Sequence, residues 1–166
     1  MTASGLTVYG LWKLVHVLSA SVLFGTGLGI AFFAWFGYRR AMKIGEIDGL
    51  RTVLRLTVIA DTCFTAPAVF VQLLSGLALM HLSAWPLNSP WALSAISLFV
   101  LVGLLWLPVV VIQIRMSREA NRVPSIAALS PEFHRSFALW FILGVPAFIL
   151  VVLIFLLMVA KPLALA

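Results

Sequence analysis

A chain of 166 residues that is 63% hydrophobic and 10% charged, with a mean hydropathy of +1.16, is no ordinary water-soluble domain, whose apolar share is roughly 45–50%. Four membrane spans of about 20–25 residues with short connections use nearly the whole length and leave no room for a soluble domain. The net charge of +6 does not signal nucleic acid, because the basic residues flank apolar runs, where they set membrane orientation.

The first span is expected over about 7–42, with Gly45 as its stop. No basic segment precedes it and its apolar run is too long for a cleaved signal, so it reads as a retained span. Inside it, two turns from its start, lies His16 in the stretch Trp12-Lys13-Leu14-Val15-His16. Hydrocarbon offers an imidazole no partner, so His16 needs a polar neighbour, a metal or a proton task, and it is the leading functional residue. Gly25 and Gly29 form a small-xxx-small pair, expected to let a neighbouring backbone approach closely.

The second span is expected over about 47–82. At 100° per residue, Thr65, Ala68, Gln72 and Gly76 each fall within about 60° of Asp61, a polar and small stripe that must face the interior. His81 lies about 180° from Gln72 and is expected off that stripe, near the membrane surface. Asp61, the one acid away from the ends of a span, admits two readings: an ion pair with Arg55, Arg115 or Arg135, or a proton relay that Thr65 and Gln72 continue toward His16.

Ser89-Pro90 and Ser130-Pro131 are N-cap and first-turn proline pairs, and place the third span at about 90–118 and the fourth at about 131–160. Pro67, Pro108 and Pro146 fall at similar depth, either as simple tolerated kinks or as a shared kink that would widen the outer half of the protein into a pocket. Nine of the eleven Lys/Arg residues lie in the first and third connections: Arg39, Arg40, Lys43, Arg51, Arg55, Arg115, Arg118, Arg122 and Arg135. The positive-inside rule makes those two connections cytoplasmic and puts both termini outside a bacterial inner membrane. The expected fold class is therefore all-α, an integral membrane antiparallel four-helix bundle embedded in the lipid bilayer.

His16 and Gly76 come to the same depth in that arrangement, and a glycine opposite a histidine gives a flat macrocycle room. A haem b ligated by His16, with Met80 or water as sixth ligand and Gln72 and Gly76 lining the pocket, is one reading. A histidine hydrogen-bonded to Gln72, Ser75 or water is the other. His134 lies a full membrane away beside Arg135, which excludes a three-histidine metal site. Cys63 is alone, so no internal disulfide forms. The chain lacks paired cysteines, histidines at i and i+4, a phosphate loop and a dinucleotide fingerprint, which argues against hydrolytic or nucleotide-dependent catalysis and leaves open whether it is an enzyme.

The opening Leu11-Trp12-Lys13-Leu14-Val15-His16, with Phe24-Gly25 following, resembles the first helix of HemJ-type protoporphyrinogen oxidases and the membrane domain of copper-resistance protein D. With Phe64 to Val69, Gln72, Ser75-Gly76, Trp106 to Val110, Gln113 to Arg115 and Trp140 to Pro146, the whole chain resembles a family of uncharacterised predicted integral membrane proteins near those two. The HemJ resemblance implies haem b on His16 and electron transfer to a quinone or the respiratory chain. HemJ-type enzymes carry a lysine early in their third helix, and Trp91 to Leu101 contains none. The competing classes are a small-solute or copper transporter and a non-catalytic membrane partner, as a homodimer or with another subunit.

Overall fold

The computed structural model describes residues 7–160, and every element among them is helical. Helix α1 spans Val8–Ile44, α2 Ile47–Ala60, α3 Ala66–Leu82, α4 Pro90–Arg122 and α5 Pro131–Ala160. A π-helical turn, Asp61–Thr65, joins α2 to α3 in one continuous rod. Four helical segments are long and apolar enough to cross a membrane: Val8–Ile44, Ile47–Leu82, Pro90–Arg122 and Pro131–Ala160. The expected spans are all present. Their ends run further in two places, to Ile44 and to Arg122. The extreme termini, to which the sequence assigned a side of the membrane, lie outside the described residues.

The helix boundaries follow from local chemistry. Thr7 caps α1 by accepting from Gly10 N–H at 3.1 Å, and Gly45 ends it in the left-handed region at φ 75°, a conformation that glycine adopts without a Cβ penalty. Ser89 accepts from Ala92 N–H at 3.3 Å and Ser130 from Phe133 N–H at 3.1 Å, each with a proline in the first turn whose missing N–H costs nothing there. Ser130 also donates through N–H and Oγ to Glu119 Oε1, at 3.0 and 2.8 Å. The start of α5 is thereby pinned to the last turns of α4.

Helix α1 packs along α3 and α2, α4 along α5 and α2, and α1 touches α5 more lightly. The dense core gathers at the arginine-rich end, from Ala41, Ile47, Leu50, Leu54, Met116, Ala120, Phe133 and Phe137. Tyr38 stacks on Phe137 with ring centroids 3.9 Å apart, and its hydroxyl bonds His134 Nδ1 at 2.8 Å. His134, expected only to sit beside Arg135, thus ties α5 to α1. Arg51 donates from Nε to Ala120 O at 2.9 Å and from a terminal nitrogen to Val123 O at 2.5 Å, and pairs with Asp48. A guanidinium is well placed there, because the last carbonyls of α4 lack helical donors.

Close approach in α1 occurs at Gly37, not at the glycines singled out from the sequence. A Cβ on Gly25, Gly27 or Gly29 would meet nothing within 4 Å, whereas one on Gly37 would lie 2.8 Å from Val53 Cγ2. Gly37→Ala should therefore force α1 and α2 apart and lower stability by about 1 kcal/mol. Thermal unfolding in detergent checks this, with Gly29→Ala expected to stay within a few tenths of wild type or gain slightly from helix propensity.

Candidate functional site

Two clusters of polar side chains sit inside the apolar helices, one toward the Leu82 end of the α2–α3 rod and one near its middle. The first is built on His16. Its Nδ1 lies 2.9 Å from Ser75 Oγ and its Nε2 lies 3.0 Å from Gln72 Nε2. Ser19, one turn after His16, donates to Gln72 Oε1. Ser75 is fully buried, Ser19 nearly so, and His16, Gln72 and Gly76 are half-buried.

One imidazole tautomer satisfies all of these contacts. The single hydroxyl proton of Ser75 goes to Val71 O at 2.6 Å, the back-bond usual for serine in a membrane helix. Ser75 can then only accept from His16, so the proton sits on Nδ1. Ser19 Oγ has two acceptors in reach, His16 O at 3.0 Å and Gln72 Oε1, and with its proton on Gln72 the amide N–H faces His16 Nε2. The lone pair on Nε2 is the basic atom of the cluster, and a rotatable amide covers it.

Gly76 is present for the imidazole itself. A Cβ there would lie 3.2 Å from His16 Cε1, so the room expected for a macrocycle is filled by the histidine ring. A haem b on His16 finds the right donor, a neutral imidazole with its other nitrogen held by Ser75, but not the slot: Gln72 would have to swing off Nε2. Met80 is half-buried one turn beyond Gly76, and His81 is exposed, as its angle on the helix required. Clefts of about 360 Å³, lined by Ser21, Phe24, Val152 and Phe155, and about 320 Å³, lined by Val15, Ser19, Pro67 and Val71 among others, do not include His16, Gln72 or Met80. No group of three or more His, Cys, Asp or Glu side chains able to hold a metal occurs among the described residues.

The second cluster is built on Asp61. Proline at position 67 has no N–H and its ring would collide with the carbonyl four residues back in a regular helix. The preceding turn widens instead, and Ala66 N–H bonds Asp61 O, five residues back. This π-turn is not visible in a 100° wheel. It nevertheless keeps Asp61 and Thr65 on the buried face, each more than nine-tenths covered.

The ion pair expected for Asp61 is replaced by a neutral contact. Gln113 donates from Nε2 to Asp61 Oδ2, and Trp140 donates to Gln113 Oε1 at 3.3 Å. Arg115 is exposed, as are Arg55 and Arg135, and the ion pair among the described residues is Arg51–Asp48. The reason is helical phase: Gln113 and Arg115 are two residues, about 200°, apart, so α4 cannot turn both inward. The Asp61–Gln113–Trp140 chain has no counterpart among the sequence expectations, although Gln113 is the one amide in the third span and Asp61 the one acid in the interior of the second. Among the described residues two buried side-chain polar atoms keep no partner, the Thr65 hydroxyl and the Trp106 indole N–H.

A family model described as "Predicted integral membrane protein (DUF2269)" matches residues 10–162. The chain belongs to this family. No curated protein and no solved structure matches it. The matched region takes in both polar clusters and, but for the first two residues of α1, the four apolar helices.

Proposed function

We propose that this DUF2269 protein handles protons inside the membrane: an antiparallel four-helix bundle whose interior polar face carries a relay with His16 Nε2 and Asp61 as its exchanging groups. The observation that carries the reading is the placement of Asp61, Thr65, Ala68, Gln72 and Ser75 on one inward face of the α2–α3 rod, with His16 bonded to its far end. Polar and ionisable groups are expensive in hydrocarbon and mark paths more often than they mark stability. Orientation follows the basic connections, which put the Asp61 end toward the cytoplasm of a bacterial cell and His16 in the outer half. The open face of Gly25, Gly27 and Gly29 is where a second copy or partner subunit would pack.

A second reading, haem b on His16 with electron exchange to a quinone, keeps one specific support. The Nδ1–H of His16 is held by Ser75, as the outer nitrogen of an axial histidine is held, and the Leu11-to-His16 opening resembles the HemJ-type helix. Gln72, Gly76 and Met80 would line that group.

One preparation separates the two. Purified protein reconstituted in vesicles containing a pH dye should dissipate an imposed proton gradient, and Asp61→Asn should slow that flux about 100-fold, the usual scale for a lost proton-transfer group. A colourless protein with wild-type flux in Asp61→Asn would sink the relay. A Soret band that vanishes in His16→Ala would put the haem reading first.

A further inference from the structure

Asp61 is the one ionisable side chain among the buried residues described. The elements packed against its turn are α1, α2 and α3, with α4 reaching it through Gln113. Their buried polar groups, Ser19, Thr57, Ser75 and Gln113, are all neutral. The half-buried titratable groups are bonded elsewhere: His16 to α3, Tyr38 to His134, Arg51 to Asp48 and the end of α4, and Glu119 to Ser130. A carboxylate in hydrocarbon without a cationic side chain is poorly balanced by one amide, since burying a charge costs several kcal/mol unless it is paired.

The same turn holds a second imbalance. Thr62, on the lipid side, returns its hydroxyl to Val58 O at 2.8 Å, the ordinary way a threonine satisfies itself in a membrane helix. Thr65 does not, and its hydroxyl is buried without a partner one π-turn from Asp61 on the same inward face. Carboxylate and hydroxyl are hard oxygen donors, the kind that alkali and alkaline-earth cations take. The single negative charge selects between them: one positive charge neutralises the site, and two would leave a buried excess.

We propose that the π-turn Asp61–Thr65 is a binding site for a monovalent alkali cation, with Na⁺ as its test ligand, held by the Asp61 carboxylate and the Thr65 hydroxyl while Gln113 fixes the second carboxylate oxygen. The inference deepens the relay reading by naming what competes with the proton at Asp61. It has an equilibrium readout that does not depend on flux.

The experiment is a thermal melt of the purified full chain in detergent, exchanging choline chloride for NaCl at constant ionic strength and pH. Binding to the folded state alone raises Tm as Na⁺ exceeds its dissociation constant. Wild type should show a saturable rise, Asp61→Asn none, and Thr65→Val should need at least tenfold more Na⁺ for half the rise. Asp61→Asn retains an acceptor for Gln113, so its melt in choline shows whether it is folded. An absent rise in wild type, an equal rise in Asp61→Asn, or an unshifted midpoint in Thr65→Val would each overturn the assignment. A Na⁺ response without proton flux would leave the cation site standing and remove the relay.

Discussion

Gln113→Leu should destabilise the protein by about 2–4 kcal/mol, measured as the free energy of unfolding in detergent, and Asp61→Leu in the same chain should recover part of that loss. Gln113 is almost wholly buried and spends its amide in both directions, donating to Asp61 and accepting from Trp140. Hydrogen bonds between membrane helices average only about 0.6 kcal/mol and reach about 1.7, so the two bonds alone account for the smaller part. The larger part is the penalty for leaving Asp61 and the Trp140 N–H buried without a partner, about 1–3 kcal/mol for each group. Asp61→Leu removes the more costly of the two orphans, which is why the double variant should be more stable than Gln113→Leu alone. Strict additivity of the two single changes would show that the contact carries no coupling, and that Asp61 is satisfied by something other than Gln113.

The four spans were legible because hydrophobic length and helix-start chemistry act locally. Ser89-Pro90 and Ser130-Pro131 begin α4 and α5 at the expected residues. The stripe on the second span was legible in part: Asp61, Thr65 and Ala68 are buried, whereas Gln72 and Gly76 are half-buried against His16. What could not be read was which residues meet across helices. Phase between two helices is a tertiary quantity, so the sequence offered Asp61 three arginines and no means of seeing that α4 presents Gln113. The π-turn was hidden for a related reason: a wheel presumes 100° per residue, and Pro67 perturbs the residues before it, where the carboxylate lies. Gly25 and Gly29 misled because a small-xxx-small pair says that a backbone can approach, not that this chain supplies it. Gly37, without a second glycine at that spacing, is the position that α2 covers.

His16→Ala should cost about 2–4 kcal/mol of stability and slow proton flux about 100-fold, and Gln72→Leu should separate these two effects. Removing the imidazole leaves a hole against Gly76, whose Cα side the ring covers, and frees the amide of Gln72 and the hydroxyl of Ser75 from their cross-helix partner. The cavity and the unpaired polar groups each contribute on the order of 1–3 kcal/mol. Gln72→Leu deletes the cover on Nε2 but leaves Nδ1–H on Ser75, so the basic lone pair stays in place with the same tautomer. If Nε2 is the atom that exchanges a proton, Gln72→Leu should retain far more flux than His16→Ala at a similar loss of stability. Ser75→Ala makes the opposite change: it takes away the acceptor that holds the proton on Nδ1, frees the ring to present either nitrogen, and should lower flux about 10-fold, the scale at which loss of an orienting partner is felt at histidine sites. Equal flux in all three variants would mean that the cluster only fastens α1 to α3. The ordering Gln72→Leu above Ser75→Ala above His16→Ala is what a working Nε2 requires, because only that order follows the availability of one nitrogen rather than the number of bonds removed.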